Sequence, residues 1–322
     1  IRSCLVGSEM CIRDRNYVDH ILVRHEQGAV HAADGYARAT GKPGVALVTS
    51  GPGATNAITG LATAYMDSTP IVVISGQVKS NLIGTDSFQE TDMIGVSRPI
   101  VKHSFLVQKA EDIPDIVKKA FHIATTGRKG PVVIDIPKDF TDPEYKFEFI
   151  YPSEVNMRSY NPPKGADTSR IKEAADLIAT AKKPVIYSGG GVNQNNASEE
   201  LTALAKLLNF PVTNTLMGLG AFPGSDSQFM GMLGMHGTYQ ANMAMHNADL
   251  IIAVGARFDD RITNDPKQFA LSAKKIHIDV DPASVSKIIH ADVPIVGSAK
   301  ESLTALIEEL KSRDLKTNES AI

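Results

Sequence analysis

Short apolar runs alternate along the chain with small-residue and amphipathic stretches, and that alternation predicts most of the elements. The first run, Ile21–Val23, stops at Arg24-His25-Glu26-Gln27, and an Ala- and Gly-rich stretch follows to Arg38. This reads as a strand leading into a close-packing helix, with Ala29, Ala33 and Ala37 at i, i+4 and i+8 on one face. Gly41-Lys42-Pro43-Gly44 stops that helix. Val45–Thr49 predicts a buried strand, Ser50-Gly51-Pro52-Gly53 a turn, 54–66 a helix, and Ile71–Ile74 another strand. Residues 78–100 are polar and long for a connection, with Phe88-Gln89-Glu90 in their middle, which marks them as functional or disordered. Strand 104–107, helix 112–126 and strand Val132–Ile136 complete the first block, closed by Pro137-Lys138-Asp139.

From Phe140 to about Thr168 periodicity vanishes and Pro143, Pro152, Pro162 and Pro163 gather, as in a semi-extended linker. The rhythm restarts with helix 169–181, strand Pro184–Tyr187, the turn Gly189-Gly190-Gly191, helix 198–208 and strand Pro211–Thr215. A glycine- and methionine-rich passage over 217–237 leads to helix 238–247, strands Leu250–Val254 and Lys275–Val280, and a last strand and helix within 293–311. Strands alternating with helices at this spacing imply βαβ units and parallel sheets covered on both faces. The fold class is α/β: two doubly wound, mostly parallel, three-layer domains joined by a proline-containing linker, the second of them six-stranded. The boundaries read as a leader over 1–15, a first domain over 16–140, a linker over 141–168, a second domain over 169–311 and a polar tail over 312–322.

Composition narrows the function classes. The 322 residues suit two domains of roughly 150 each. A net charge of −3 offers no basic field for nucleic acid or an anionic membrane, and no apolar run is long enough to span a bilayer. Both cysteines, Cys4 and Cys11, lie in the leader, so the body holds neither a disulfide framework nor a cysteine metal site. The leader matches no secretion or transit signal and reads as sequencing-adapter read-through rather than native protein. Peptides from it in the mass spectrum of the natural product would overturn that reading. His25-Glu26 followed by His31 misses the zinc-helix spacing, and no Gly-x-Ser-x-Gly elbow occurs, so neither metal ligation nor an acyl-transfer triad is expected.

The candidate chemistry sits at strand ends. Glu26 at a strand-to-helix junction, among Ala, Gly and Val, would be a poorly solvated carboxyl with a raised pKa; a solvated first-turn acid favoured by the helix dipole accounts for the stretch as well. Gly189-Gly190-Gly191 suits close approach of a pyrophosphate, but lacks the full dinucleotide spacing, and a plain tight turn fits it too. Gly255-Ala256-Arg257-Phe258-Asp259-Asp260-Arg261 crowds charged and aromatic side chains at the end of an apolar strand, as a ligand edge or as a surface ion-pair cluster. Asp279 and Asp281 end the next strand, where dinucleotide folds hold a ribose hydroxyl. Leu233-Gly234-Met235-His236-Gly237 is a flexible lining or a set of core-filling methionines.

Together these passages resemble one family. Arg24–Ala29 and Tyr36–Arg38, Ser50–Asn56, Gly84–Glu90, Thr215–Gly220, Leu233–Thr238 and Gly255–Arg261 are similar to the catalytic large subunit of acetohydroxyacid (acetolactate) synthase, a thiamine-diphosphate enzyme that also holds FAD. The resemblance covers about 16–311; its first half is shared with thiamine-diphosphate enzymes in general, and the second-half motifs are specific to this synthase. It implies condensation of pyruvate with a second 2-oxo acid, pyruvate or 2-oxobutyrate, in branched-chain amino acid biosynthesis. It makes Glu26 the carboxyl that hydrogen-bonds the aminopyrimidine of the cofactor, places Phe88 and Gln89 near thiamine and substrate, and puts Lys138 in the substrate channel. Its flavin contacts fall on Arg128, Gly190, Thr215, Leu216, Leu233, Gly234, Met235, His236, Gly255, Ala256, Arg257, Phe258, Asp259, Asp260, Arg261, Asp279 and Val280, with Ser298 and Ala299 aligning more loosely. Met235, Asp260 and Arg261 would also border the channel to the active site. FAD is structural in this family, because the net reaction transfers no hydride.

Magnesium and the diphosphate belong, by the same resemblance, to a third domain whose Gly-Asp-Gly…Asn-Asn type sequence does not occur here, so no metal ligand is assigned and the chain as given is expected not to turn over pyruvate alone. The resemblance further implies a homodimer or tetramer, a regulatory small subunit, and the cytoplasm of a bacterium or the plastid or mitochondrion of a eukaryote. The alternatives are another FAD-containing thiamine enzyme, such as pyruvate oxidase or a 2-oxo acid decarboxylase, and a non-catalytic flavin- or nucleotide-binding module.

Overall fold

The computed structural model describes residues 19–142, 144–163 and 165–313. The predicted leader, both cysteines and the tail beyond Arg313 lie outside the described residues. The chain divides into two units, 1–161 and 162–322, each built on one parallel sheet.

The first unit runs α1 (Glu26–Thr40), β1 (Gly44–Val48), the short α2 (Pro52–Asn56), α3 (Ile58–Met66), β2 (Ile71–Gln77), α4 (Met93–Ser97), β3 (His103–Leu106), α5 (Ile113–Thr125) and β4 (Val132–Pro137). Its strands are all parallel in the order β1-β2-β4-β3. Ile-Val-Val-Ile and Val-Val-Ile runs put β2 and β4 at the centre, buried on both faces. β1 lies at the sheet edge among the described residues, and its outward Val45 and Leu47 are 50% and 39% exposed. The small residues of α1 serve close packing inside the unit: a Cβ added to Gly44 would lie 2.1 Å from the Ala33 carbonyl oxygen. Arg38 ties the same helix to the turn after α3, bonding Asp34 at 2.7 Å and Asp67 at 2.8 Å.

Three expectations change here. Ile21–Val23 is not a strand; Ile21 and Leu22 are 82% and 79% exposed, and three residues without a paired neighbour cannot form one. The predicted helix 54–66 starts at Pro52 and breaks at Ala57, giving α2 and α3. The stretch predicted as a linker from 141 is largely part of the first unit. Lys118 donates to the carbonyls of Pro152 and Ser153, Lys102 bonds the Tyr160 hydroxyl at 3.0 Å, and Met157 and Tyr160 pack against the cluster around Val132 and Ile134. The division falls after Asn161.

The second unit runs α6 (Thr168–Thr180), β5 (Pro184–Ser188), α7 (Gly190–Gln194), α8 (Ser198–Leu208), β6 (Val212–Asn214), β7 (Phe229–Met232), α9 (Tyr239–Asn247), β8 (Leu250–Val254), α10 (Asp260–Thr263), β9 (Lys274–Asp279), β10 (Val293–Val296) and α11 (Ala299–Ser312). Six parallel strands take the order β10-β9-β8-β5-β6-β7. The sixth, β7, lies inside the Gly- and Met-rich passage. Strand order reverses between β5 and β8, the switch point at which such sheets open a crevice at their carboxyl ends.

Candidate active site

In the first unit the carboxyl end of β1 runs into the turn Gly51-Pro52-Gly53, and three chain segments meet there. Glu26 opens α1 behind His25, whose Nδ1 accepts the Gln27 N–H at 3.1 Å. The Glu26 Oε2 accepts from Asn56 Nδ2 at 3.0 Å. Glu26 is half-buried, between the apolar and the solvated setting that the sequence left open. A Cβ on Gly53 would stand 2.6 Å from Thr49 Cγ2 and 3.4 Å from Glu26 Oε1. Gly51 has φ +62°, and a Cβ there would meet the Gln89 carbonyl oxygen at 2.7 Å and its Cα at 2.9 Å. The motif thus needs glycine at both positions for reasons of space, and at Gly51 also for its left-handed backbone.

The stretch from 78 to 100 is ordered and folded on itself. The Glu90 carboxylate accepts the N–H groups of Gly84 and, at 3.0 Å, Ser87, and these backbone donors hold its pKa below the ordinary carboxylate value. Asp92 caps α4 through Gly95 N at 2.8 Å. Gln89 is half-buried with φ +60°, while the Phe88 ring beside it is 89% exposed. Lys138 is exposed in the turn after β4, where neighbouring Asp139 accepts from Ser80 N and Oγ at 2.9 and 2.6 Å. The structure therefore brings Glu26, Asn56 and Gln89 together around one glycine turn. Asn56 had no role by spacing; it stands thirty positions from Glu26, and only the fold makes it the partner.

In the second unit the candidates collect at the carboxyl edge of the sheet. The triple glycine is accounted for by backbone packing: a Cβ on Gly189 would lie 2.3 Å from Gly255 O, and one on Gly191 2.7 Å from Gly255 Cα. Gly190 faces Met217. Thr215 Oγ1 accepts Gly218 N at 2.9 Å and shapes the turn that presents an exposed Leu216. Gly234 is bracketed by Asn242, and Met235 N donates to Arg261 O at 3.0 Å, so the passages 233–236 and 259–261 lie side by side. Met235, His236, Asp259, Asp260 and Arg261 are exposed, with Asp260 and Arg261 paired at 3.7 Å. Arg257 accepts the Tyr187 hydroxyl on its carbonyl at 3.1 Å.

Not all of these side chains face outward. Leu233, Ala256, Phe258 and Ala299 are in the core, so only their main chains are available to a ligand. The Phe258 ring packs 5.6 Å from Tyr187 and 5.2 Å from His277, whose pKa burial lowers against the bond its Nε2 makes to the Ala256 carbonyl. Asp279 is buried and accepts Asp281 N at 2.8 Å; Val280 and Ser298 are half-buried. Arg128 belongs to the first unit, where its Nε donates to Ser68 Oγ at 2.8 Å and its guanidinium lies 5.9 Å from the Tyr65 ring.

One group in the second unit was missed from the sequence. Fully buried Asn214, ending β6, accepts the Ser188 hydroxyl at 2.5 Å and leaves its Nδ2 without a partner among the described residues. The orphaned donor beside this edge fits a polar cofactor, while the N–H groups of Gly189, Gly191 and Gly255 are spent on the carbonyls of Val254, Gly255 and Ile278. Among the described residues, no three His, Cys, Asp or Glu side chains converge on a metal position, and no helix is long and apolar enough to cross a membrane.

Comparison with known proteins agrees with this division. The family described as thiamine pyrophosphate enzyme, N-terminal TPP binding domain, matches residues 10–96, reaching into the stretch read as a leader. The family described as thiamine pyrophosphate enzyme, central domain, matches 171–306. The chain is 62% identical over 294 residues to the acetolactate synthase large subunit of Buchnera aphidicola subsp. Schizaphis graminum, covering 91% of the chain and 52% of that protein. It is 59% identical over 300 residues to the large subunit of Haemophilus influenzae, covering 93% and 52%. With the acetolactate synthase isozyme 3 large subunit of Escherichia coli it shares 58% over 293 residues, covering 91% and 51%. The chain thus spans about half the length of the curated relatives it matches. At such identity across both units, it belongs to the acetolactate synthase large-subunit family of thiamine pyrophosphate enzymes, corresponding to their N-terminal and central domains.

Proposed function

We propose that the full subunit carrying these residues condenses pyruvate with a second 2-oxo acid, pyruvate or 2-oxobutyrate, toward branched-chain amino acids. The observation that carries this reading is the Glu26–Asn56 pair set against the Gly51–Gly53 turn and Gln89, in a chain so similar to acetolactate synthases. Thiamine diphosphate, when bound, supplies the acidic ring carbon that attacks the 2-oxo carbon. Of the Glu26 oxygens, Oε2 is taken by Asn56, which leaves Oε1 to hold or release a proton at a ring nitrogen of the pyrimidine. The glycines at 51 and 53 let Gln89 and Thr49 close in around Glu26. Phe88 offers an apolar wall, Gln89 an amide for the substrate, and Lys138 a positive charge that draws in anionic 2-oxo acids.

FAD fits the carboxyl edge of the second unit. The main chain at Gly190 would serve its phosphates, the Thr215 and Gly255 N–H groups being bonded to the Ser188 and Ile278 carbonyls, and the shelf at Met235 and Asp259–Arg261 its rings and ribose. Magnesium is assigned to no residue of this chain. The assembly is read as a homodimer or tetramer with a regulatory small subunit.

The test is Glu26→Gln in the full-length subunit. Acetolactate formation from pyruvate should fall by about a hundredfold or more, the range typical of losing a general acid–base group, with bound flavin unchanged. A near-normal rate would remove Glu26 from the mechanism.

A further inference from the structure

Behind the glycine turn lies a polar pair that the site as described does not use. Asp135 occupies β4 within a run otherwise of Val, Ile and Pro, and it is 1% exposed. Its Oδ2 accepts from Gln77 Nε2 at 3.0 Å, while Oδ1 has no partner among the described residues. Burial, with the Asp92 charge nearby, pushes its pKa up to about 6 against the pull of the Gln77 amide and the neighbouring Ser75 hydroxyl.

Gln77 ends β2, also buried, and its amide is fixed on both sides. Nε2 donates a second bond to the Thr91 carbonyl at 2.7 Å, and Oε1 accepts Val78 N at 2.9 Å. Turning the amide over would set its oxygen against two acceptors, so Asp135 and Thr91 dictate its orientation. Thr91 lies two residues beyond Gln89, whose backbone rests on Gly51. The segment carrying Phe88 and Gln89 is thus held at one side by the glycine turn and at the other by Gln77.

Packing does not explain the pair. A leucine and a methionine would fill the same space without the desolvation of a carboxylate that keeps one oxygen unpaired. We infer that Asp135 and Gln77 are positioning residues: Asp135 orients the Gln77 amide, which holds the Thr91 carbonyl and so sets Phe88 and Gln89 against the 2-oxo acid. This rests on the reading that Phe88 and Gln89 face the substrate.

The test is steady-state kinetics of the full-length holoenzyme with pyruvate. Gln77→Met should raise KM about tenfold or more, a readout blind to the fraction of enzyme folded. Gln77→Glu, which keeps the shape and loses the donor, should do the same at pH 8 and serves if Gln77→Met yields no soluble enzyme. Asp135→Leu should match Gln77→Met, the double variant should be no worse than either single one, and Asp135→Asn, which keeps an acceptor toward Gln77, should recover most of the loss. A KM within twofold of the parent in Gln77→Met and Gln77→Glu overturns the inference. If Glu26→Gln abolishes turnover in the same preparation, that failure is of the positioning role alone; if Glu26→Gln is near normal, the site reading falls and this inference with it.

Discussion

Asp135 works against the fold. Its pKa is pushed up to about 6 in the folded chain, against 3.8 for an ordinary aspartate. Between those values the folded state binds more protons than the unfolded state, so stability falls as pH rises from about 4 to about 6 and stays lower above. The full penalty above pH 6 is on the order of 3 kcal/mol. Asp135→Asn, which cannot ionise, should therefore unfold at higher denaturant than the parent at pH 8 and at nearly the same denaturant at pH 4; an equal shift at both would show that ionisation is not the cause. Glu26 stood out in the sequence because a lone carboxylate ends an apolar run. Asp135, Asn56 and Asn214 did not, since each finds its partner 58, 30 or 26 positions away. Periodicity reports which face a residue occupies and is silent about what lies across from it.

At the scale of elements, most strands and helices were legible because β-branched runs and amphipathic repeats coincide with turn residues. The misreadings have local causes. Ile21–Val23 has the composition of a strand but no paired neighbour, and β7 is written Phe-Met-Gly-Met, without the β-branched residues that announce a strand, beside a register shift against β6. The triple glycine looked like a phosphate signature, and its first use is mutual: the turn after β5 and the end of β8 interlock backbone to backbone. Gly255 carries φ +55°, and a Cβ there would lie 2.6 Å from Gly191 Cα. Gly255→Ala should destabilise the second unit by roughly 2 kcal/mol or more in denaturant unfolding, combining left-handed strain with the clash. A change below about 0.5 kcal/mol, the usual size for a neutral site, would show that the interlock is slack.

At the scale of the whole chain, the two units have separate cores and carry separate parts of the proposed chemistry. Flavin retained after desalting should be lost in Gly190→Trp, where even a Cβ comes within 3.1 Å of Met217, and kept in Glu26→Gln. Unchanged flavin absorbance in Gly190→Trp would sink the assignment of that edge to the cofactor. The edge position of β1 bears on handling the protein. Among the described residues β1 pairs on one side only, with β2, and such an edge beside outward Val45 and Leu47 is a surface on which one strand recruits another, so concentrated solutions of this chain should tend to gel or precipitate through that rim. A Val45→Lys form, with a charge set into the seam, is the better starting material for crystals.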